Sequence, residues 1–448
     1  MKAAAIAVAA LVAILSAPAR AADEPNLRRS GYVGVQAGVV TDEVRARLKL
    51  AQPGGVLVVG LLPDGPARDA GLRADDVLVS LGGQPIADNV AFVTMVGRLR
   101  AGDRVPVQYV RAGEARTAEL VMKPRPLESA ADVDTRYAAV RVDGHWQRTI
   151  VTAPRAGGRH PAVLFLTGIG CFSQESLQVS STDTKLLYGL TRAGFITMRV
   201  EKSGIGDSEG PSCKDPRVDF EAEMRGYSEG LKALRADPGV DPGKVFVMGL
   251  SVGGVEAPIV ARGVPVKGIV VVNTVAKPFF EYLLETRRRQ GALHGTPYDE
   301  LDRHMRVNER CNHRLLVERE APEAILRSEP GCRDWITYPA PYTYMQQWAS
   351  VDPADAWRRI DVPVLVVSGQ FDFIALTADS PYLRDMINAF HPAHATFASI
   401  PEMDHYLGRV KSMPESLAST AGTSGEFQGA VLDTVRGWLE KVAAAPSA

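Results

Sequence analysis

From residue 135 onward, short apolar runs alternate with longer stretches whose apolar residues recur at three- and four-residue spacing. The runs at 162–166, 195–200, 245–248, 268–273, 364–368 and 396–400 read as strands buried on both faces. The stretches at 182–192, 219–236, 253–262, 380–390 and 427–443 read as helices. Strands alternating with helices predict an α/β fold, a mostly parallel sheet with helices on both faces. Segments 137–142 and 148–153 flank Asp143-Gly144 and predict an opening hairpin. One interval breaks the rhythm. Roughly 90 residues separate the run ending at Asn273 from the run starting at Val364, too many for a simple crossover. Within it 279–289, 298–308 and 313–327 read as helices, so residues of about 276–355 are expected to form a helical cap insertion. The aromatic residues Tyr338, Tyr342 and Trp348 near its end suit a lid that turns apolar surface toward a pocket.

The first part of the chain has a different pattern. Segments 33–39, 56–61, 76–81 and 105–111 are strand-like, 66–70 and 89–99 are helix-like, and Gly82-Gly83 marks a turn. The blocks Gly31-Tyr32-Val33-Gly34-Val35, Gly65-Pro66-Ala67, Ala70-Gly71-Leu72, Asp76-Val77-Leu78 and Gly82-Gly83-Gln84-Pro85-Ile86 occur in a fixed order. In these blocks, residues 30–124 resemble a PDZ domain of the kind attached to bacterial periplasmic proteases. Asp75 and Gly82 depart from the family, which usually has Gly and Asn there. The resemblance implies a small β-rich fold in which the loop at Tyr32, Val33 and Gly34 offers amides to a peptide's terminal carboxylate. The strand from Val35 would then pair with that peptide. Residues 125–134 are polar and proline-marked, and read as a linker. The remainder, 135–448, forms the α/β unit.

Composition narrows the setting. The net charge of −1 provides no basic field for nucleic acid. Residues 1–21 have Lys2, an apolar stretch and Ala19-Arg20-Ala21, the features of a cleaved secretory signal. No membrane span is expected after cleavage, and the protein is expected in the periplasm or outside the cell. Export permits the four cysteines to pair, in any of three connectivities; the preferred one pairs neighbours, Cys171 with Cys213 and Cys311 with Cys332. None has metal-ligand spacing, so no metal site is expected.

The candidate chemistry lies at Gly249-Leu250-Ser251-Val252-Gly253, between an apolar strand and a helix. The turn of a G-x-S-x-G is too tight for side chains beside the serine, which is why glycines flank it. A five-residue glycine pattern also arises by chance, so the context decides. Asp372 follows the run ending at Ser368, and His405 follows the run ending at Ile400. His391 and His394 fall before that last strand, and Asp404, beside the histidine, is read as structural.

With serine, acid and histidine in that order, residues 135–445 resemble the α/β-hydrolase superfamily. The resemblance implies a catalytic triad of Ser251, Asp372 and His405 and an acyl-enzyme. It also implies an oxyanion hole built from the amide of Val252 and one from the loop Thr167 to Phe172, with Ile169 and Gly170 as candidates. Thr167 stands where the family commonly has His. A Cys171 disulfide would stiffen this loop. Glu201-Lys-Ser-Gly-Ile-Gly206-Asp-Ser208 resembles the family's D-x-x-G-x-G-x-S loop, with glycines expected to shape the pocket rim. No cofactor is implied. Carboxylic ester hydrolysis is the first expectation. A peptidase or amidase using the first domain to hold peptide ends is the second, and a non-catalytic adaptor for C-terminal peptides is the third.

Overall fold

The computed structural model describes residues 27–50, 54–176, 181–419 and 425–446. The expected signal segment, 1–21, lies outside the described residues. In the N-terminal domain, strands Val35–Gly38, Val56–Leu61, Val77–Leu81, Arg104–Arg111 and Glu114–Val121 form one antiparallel sheet in that spatial order. Its core contains Val58, Leu78, Val107 and Leu120. Two elements have no counterpart in the apolar pattern. The strand Glu114–Val121 is exposed along nearly all its length, and the short helix Asp42–Arg47 buries nothing and rests on its Thr41 cap.

The α/β domain is built on an eight-stranded sheet. Its strands are β1 (Val133–Val142), β2 (His145–Pro154), β3 (His160–Leu166), β4 (Ile196–Val200), β5 (Val240–Leu250), β6 (Gly268–Val272), β7 (Val364–Gly369) and β8 (Ala395–Ile400). The spatial order is β8-β7-β6-β5-β3-β4-β2-β1. The β1–β2 hairpin and its contact with β4 are antiparallel, and all other pairs are parallel. Asp143 and Gly144 both take positive φ, as a two-residue hairpin turn requires. Two apolar layers cover the sheet. One packs Leu231 and Ala257 against Val247 and Val271, and the other packs Leu187 and Val435 against Phe165 and Phe246. The parallel connections bring the carboxyl ends of β5, β6, β7 and β8 side by side, where such sheets carry their sites.

The cap differs from expectation in two ways. Helices Phe279–Leu293 and Tyr298–Asn312 are longer than the pattern indicates. The helix expected over 313–327 is broken into a π-helical turn, His313–Val317, and a separate helix, Pro322–Ser328. Arg319 has φ 57°, and the residue before a proline is driven out of helical geometry, so the chain cannot run through. The aromatic group turns inward as well. Phe279 stacks 4.1 Å from Trp348 and Tyr338 donates to Asn312, so these rings form the cap's own core rather than a pocket face. The cysteines pair as neighbours, Cys171 with Cys213 and Cys311 with Cys332.

The segment expected as a linker is packed rather than free. Glu128 is fully buried and forms a two-pronged pair with Arg199 of β4, at 2.6 and 3.0 Å. Arg199 is the one cation within a strand whose five residues are all buried, and Glu128 is its counter-charge. Removing one member of such a pair strands the other in a low-dielectric interior. Glu128→Ala is expected to cost about 3–5 kcal/mol, read as a lowered midpoint in urea unfolding of the full chain.

Candidate active site

Ser251 follows β5 directly and is the first non-helical residue before helix Val252–Ala261. Its backbone lies at φ 56° and ψ −122°, a conformation that few non-glycine residues adopt. The crowding explains the neighbouring glycines. A Cβ on Gly249 would stand 2.1 Å from the carbonyl oxygen of Gly253, and one on Gly253 would stand 2.4 Å from that of Leu166. The Ser251 amide donates to Val272 at the end of β6, and Thr274 Oγ1 donates to the Ser251 carbonyl. The turn is therefore tied to the next strand at both ends.

Ser251, His405 and Asp372 come together. His405 Nε2 lies 3.2 Å from Ser251 Oγ, and Nδ1 lies 2.9 and 3.1 Å from the two oxygens of Asp372. Asp372 is 1% exposed and His405 6%, so both are removed from bulk water. Asp372 Oδ1 also accepts the amides of Ile374 and Ala375, at 2.8 and 2.9 Å, which fixes the carboxylate. With Asp372 accepting at Nδ1, the ring carries its proton there and presents Nε2 to the serine hydroxyl. Asp404 spends Oδ1 on the amides of Tyr406 and Gly408 and shapes the histidine loop.

Two supports of this arrangement have no motif. Asn273 follows β6, in left-handed backbone, and is buried. Its Nδ2 donates to the carbonyls of Asp404 and His405, while its Oδ1 accepts the Gly369 amide at the end of β7. One side chain thus braces the acid strand against the histidine loop. The second support is cap helix Phe279–Leu293. Arg289, Gln290, Tyr282 and Thr286 donate to the carbonyls of Asp372, Phe373 and Ile374, and Arg289 also reaches Ala375. Their spacing places them on one helical face. The only sequence signal for that face is its polarity within the cap.

The serine and histidine open into a cavity of about 770 Å³. Its lining includes the apolar Ile169, Phe172, Leu250 and Ile374 and the polar Arg125, Gln174 and Glu175. Gly168 and Ile169 line it, whereas Gly170 does not; a Cβ on Gly168 would sit 3.5 Å from that of Ser251. Val252 is buried as the first residue of its helix, and Ser251 makes no side-chain cap, so no intrahelical acceptor serves its amide. Lys202 holds the loop from behind. Its Nζ donates to the Gly168 carbonyl at 3.0 Å and pairs with Glu223 at 2.8 Å. Next to this pair Glu256 is fully enclosed; burial, and then the Glu223 carboxylate, raise its pKa far above the ordinary range. The Cys171–Cys213 disulfide fastens the same loop from its other end.

The glycines of the 201–208 loop do not line this cavity, contrary to expectation. Gly206 has φ 56°, and a Cβ there would stand 2.9 Å from Glu201. The loop acts as an anchor instead. Asp207 accepts from Arg29, from the Ser30 amide and from Ser30 Oγ, joining the two domains. Glu201 accepts from Ser173 Oγ at 2.5 Å and from the Gln174 amide at 3.1 Å.

Of the residues expected to bind peptide, Val33 is buried in the domain core, and Gly34, at φ 76°, packs against Gly65. Tyr32 lies in the short strand Gly31–Tyr32, which pairs with Lys123–Pro124. Val35 begins the strand at the edge of its sheet, the position from which a further strand can be added. Among the described residues one cluster has metal-ligand proximity, Cys311, Glu329 and Cys332, and both of its sulfurs are in a disulfide. No described helix is long and apolar enough to cross a membrane.

A doubly covered parallel sheet with a serine on a strained strand-to-helix turn defines an α/β-hydrolase. The family model described as "Alpha/beta hydrolase family" matches residues 163–420, and the chain belongs to that family and is a hydrolase. A PDZ domain model matches residues 31–121. The chain is 32% identical over 119 residues to a "Probable periplasmic serine endoprotease DegP-like" of Pseudomonas putida (strain W619), covering 27% of this chain and 24% of that one. A protein of the same name from Pseudomonas fluorescens is 35% identical over 98 residues, 22% and 21% of the two chains. The chain thus spans about a quarter of the length of the curated relatives it matches, and the similarity is confined to the PDZ region. Among solved structures it resembles Est1E from Butyrivibrio proteoclasticus with bound ferulic acid (14% identity, TM-score 0.46, covering 68% of this chain and 99% of that one). It also resembles DcsB in complex with its substrate analogue (19%, 0.43, 70% and 100%).

Glu201 gives the site a pH-dependent foundation. Burial lifts its carboxyl from the ordinary 4.5 to about 7, against the bonds from Ser173 and Gln174. Below 4.5 the group is protonated in both folded and unfolded chains, and its contribution to stability is fully present. Between 4.5 and 7 only the unfolded chain ionises, so that contribution falls as pH rises and is lost above about 7. Glu201→Gln is therefore expected to gain stability relative to the wild type between pH 5 and pH 8, measured by urea midpoints at both.

Proposed function

We propose that this hydrolase is an exported serine esterase that works through Ser251, His405 and Asp372 and an acyl-enzyme. The observation that carries the reading is the continuous chain from Ser251 Oγ through both ring nitrogens of His405 to Asp372. His405 Nε2 takes the hydroxyl proton as Oγ attacks the carbonyl carbon. The tetrahedral oxyanion is received by the Val252 amide and an amide of the loop at Gly168, Ile169 and Gly170. The protonated imidazole, held by Asp372, then gives its proton to the departing alcohol. Water, activated by the same imidazole, releases the acid and restores Ser251. Two disulfides and the signal-like 1–21 segment support export, as does the word periplasmic in the names of the relatives that match the first domain.

A peptidase is the second reading, favoured by the open sheet edge at Val35 and the PDZ match. A peptide's carboxylate would sit at Tyr32 to Gly34 while its chain pairs along Val35.

A fluorophosphonate probe is expected to label the wild type and not Ser251→Ala, whose kcat should fall by about six orders of magnitude. Asp372→Asn, which leaves the imidazole in the wrong tautomer, should lose about 10⁴ in kcat. Nitrophenyl esters turned over in preference to peptide nitroanilides establish the esterase; the reverse preference establishes the peptidase. A folded wild type that takes no label refutes both.

The disulfide at the oxyanion loop yields a separate expectation. Cys171→Ser with Cys213→Ser should lower kcat roughly tenfold with little change in KM, because donor placement matters most in the transition state. Equal kcat in the double variant would remove the stiffening role.

A further inference from the structure

The loop behind Ser251 is gripped by a lysine that no step of the mechanism uses. Lys202 belongs to the 201–208 loop, and its side chain is only 4% exposed. It does not line the cavity at Ser251. It lies in a separate cavity of about 180 Å³, beside Glu223 and Tyr227. Gly168 does line the cavity at Ser251, yet its carbonyl accepts Lys202 Nζ at 3.0 Å. The Thr167 amide, one residue earlier, donates to Tyr227 at 3.4 Å. Further along, Lys202 Nζ stands 5.9 Å from the centre of the Phe172 ring, which lies against Gly170 so closely that a Cβ there would be 3.0 Å away.

Peptide geometry gives this grip a consequence. The bond between Gly168 and Ile169 is trans, so its C=O and N–H point in opposite directions. A carbonyl fixed on Lys202 therefore sends the Ile169 N–H the other way, toward the cavity that Ile169 lines and Gly170 does not. The Ile169 amide has no acceptor among the described residues. Its peptide stands next to the serine, since a Cβ on Gly168 would lie 4.0 Å from Ser251 Oγ. An ammonium on the carbonyl also polarises the peptide and makes its N–H a better donor.

The charge is kept in place by its surroundings. Helix Phe220–Ala236 brings Glu223 to Lys202 at 2.8 Å. Glu256 stands beside them on the helix that follows Ser251; burial and then the Glu223 carboxylate favour its protonated form, and Tyr344 of the cap donates to it at 3.1 Å. A buried ion pair returns little net stability, and uncharged side chains of similar volume would fill the space as well. What Lys202 adds is the direction of one peptide. We propose that Lys202 is a positioning residue for the reaction: by holding the Gly168 carbonyl it turns the Ile169 amide toward the substrate's carbonyl oxygen, as the second oxyanion donor beside Val252. This rests on the reading of Ser251 as nucleophile, and it decides between Ile169 and Gly170 as the donor from the loop.

The test uses the full chain with Lys202→Met and Glu223→Gln combined, which removes both charges and strands neither. With nitrophenyl butyrate, kcat is expected to fall about a hundredfold while KM changes by less than about threefold, because the donor acts in the transition state. Two ketones with an octyl chain isolate that donor. On the trifluoromethyl ketone Ser251 Oγ adds to the carbonyl carbon, its proton passes to His405, and the carbonyl oxygen remains as an oxyanion. The methyl ketone has a similar shape and stays unreacted. The variant is expected to bind the first about a hundredfold more weakly and the second as well as the wild type does. Unchanged affinity for the trifluoromethyl ketone overturns the proposal, and so does an equal loss for both ketones, the mark of a collapsed pocket. A crystal structure of the wild-type trifluoromethyl ketone adduct needs no variant to fold: its oxygen on the amides of Ile169 and Val252 supports the proposal, and its oxygen on the Gly170 amide refutes it. A wild type that takes no fluorophosphonate label and binds both ketones alike discards the nucleophile, and the proposal with it. Normal labelling with unchanged ketone affinity in the variant discards the role of Lys202 alone.

Discussion

The backbone turn at Ser251 is the constraint on which the site depends. A non-glycine residue at φ 56° and ψ −122° costs on the order of 1–3 kcal/mol, and the chain persists there only because its surroundings leave no alternative. Those surroundings are the ends of β3, β5 and β6, which press Leu166, Gly249 and Val272 against the turn. The same strand ends then locate everything else. Ser251 leaves β5, Asp372 leaves β7 and His405 follows β8, so the three side chains inherit their spacing from the ladder of the sheet. β6, between β5 and β7, carries none of the three. It ends instead in Asn273, whose amide ties the end of β7 to the histidine loop, and thereby closes the one gap that the sheet does not bridge itself.

A second layer of order comes from charge buried beside the cavity. Arg199 with Glu128, and Lys202 with Glu223, cost solvation and return little net stability. What they supply is position. Each directs a donor or acceptor at a backbone group of the loops flanking Ser251, namely the Gln174 carbonyl, the Ser176 amide and the Gly168 carbonyl. Hydrophobic packing cannot place a loop that has no apolar face, whereas a charge-assisted hydrogen bond can. Glu201 belongs to the same set, and its raised pKa measures the strength of its enclosure.

This division explains what was legible in the chain. The buried runs that became β3 to β8 declare themselves by composition, and Ser251, Asp372 and His405 each follow such a run within a few residues. Geometry made by apolar periodicity and tight turns is local and can be read. Geometry made by single polar contacts over long separations cannot. Glu128 looked like part of a polar linker because its partner, Arg199, stands far along the chain; a cation in an otherwise apolar strand was the available sign. Asn273 looked like the end of a strand. Gln174 had no pattern at all, and the helical face of Tyr282, Thr286, Arg289 and Gln290 read as solvated surface. The strand Glu114–Val121 was hidden for a related reason, since only Leu120 along it is fully buried. At 313–327 the apolar periodicity was real, but Pro322 overruled it.

The two domains are joined by more than a tether, and the contact determines what the first can do for the second. Arg29 and Ser30 immediately precede the strand Gly31–Tyr32 and bind Asp207 and Glu175, while Arg125, just after the domain, lines the cavity at Ser251. The N-terminal domain thus enters and leaves its own fold through residues fixed on the hydrolase. Both ends being held, it has little freedom to swing as a separate binding module. A ligand along Val35 would meet the hydrolase in a set orientation. Coupling between two sites requires that each favour one of two arrangements, and a contact clamped by buried ion pairs favours a single one. The domain therefore has a structural part in the hydrolase: Arg125, at its exit, supplies a residue of the cavity wall beside Ser251.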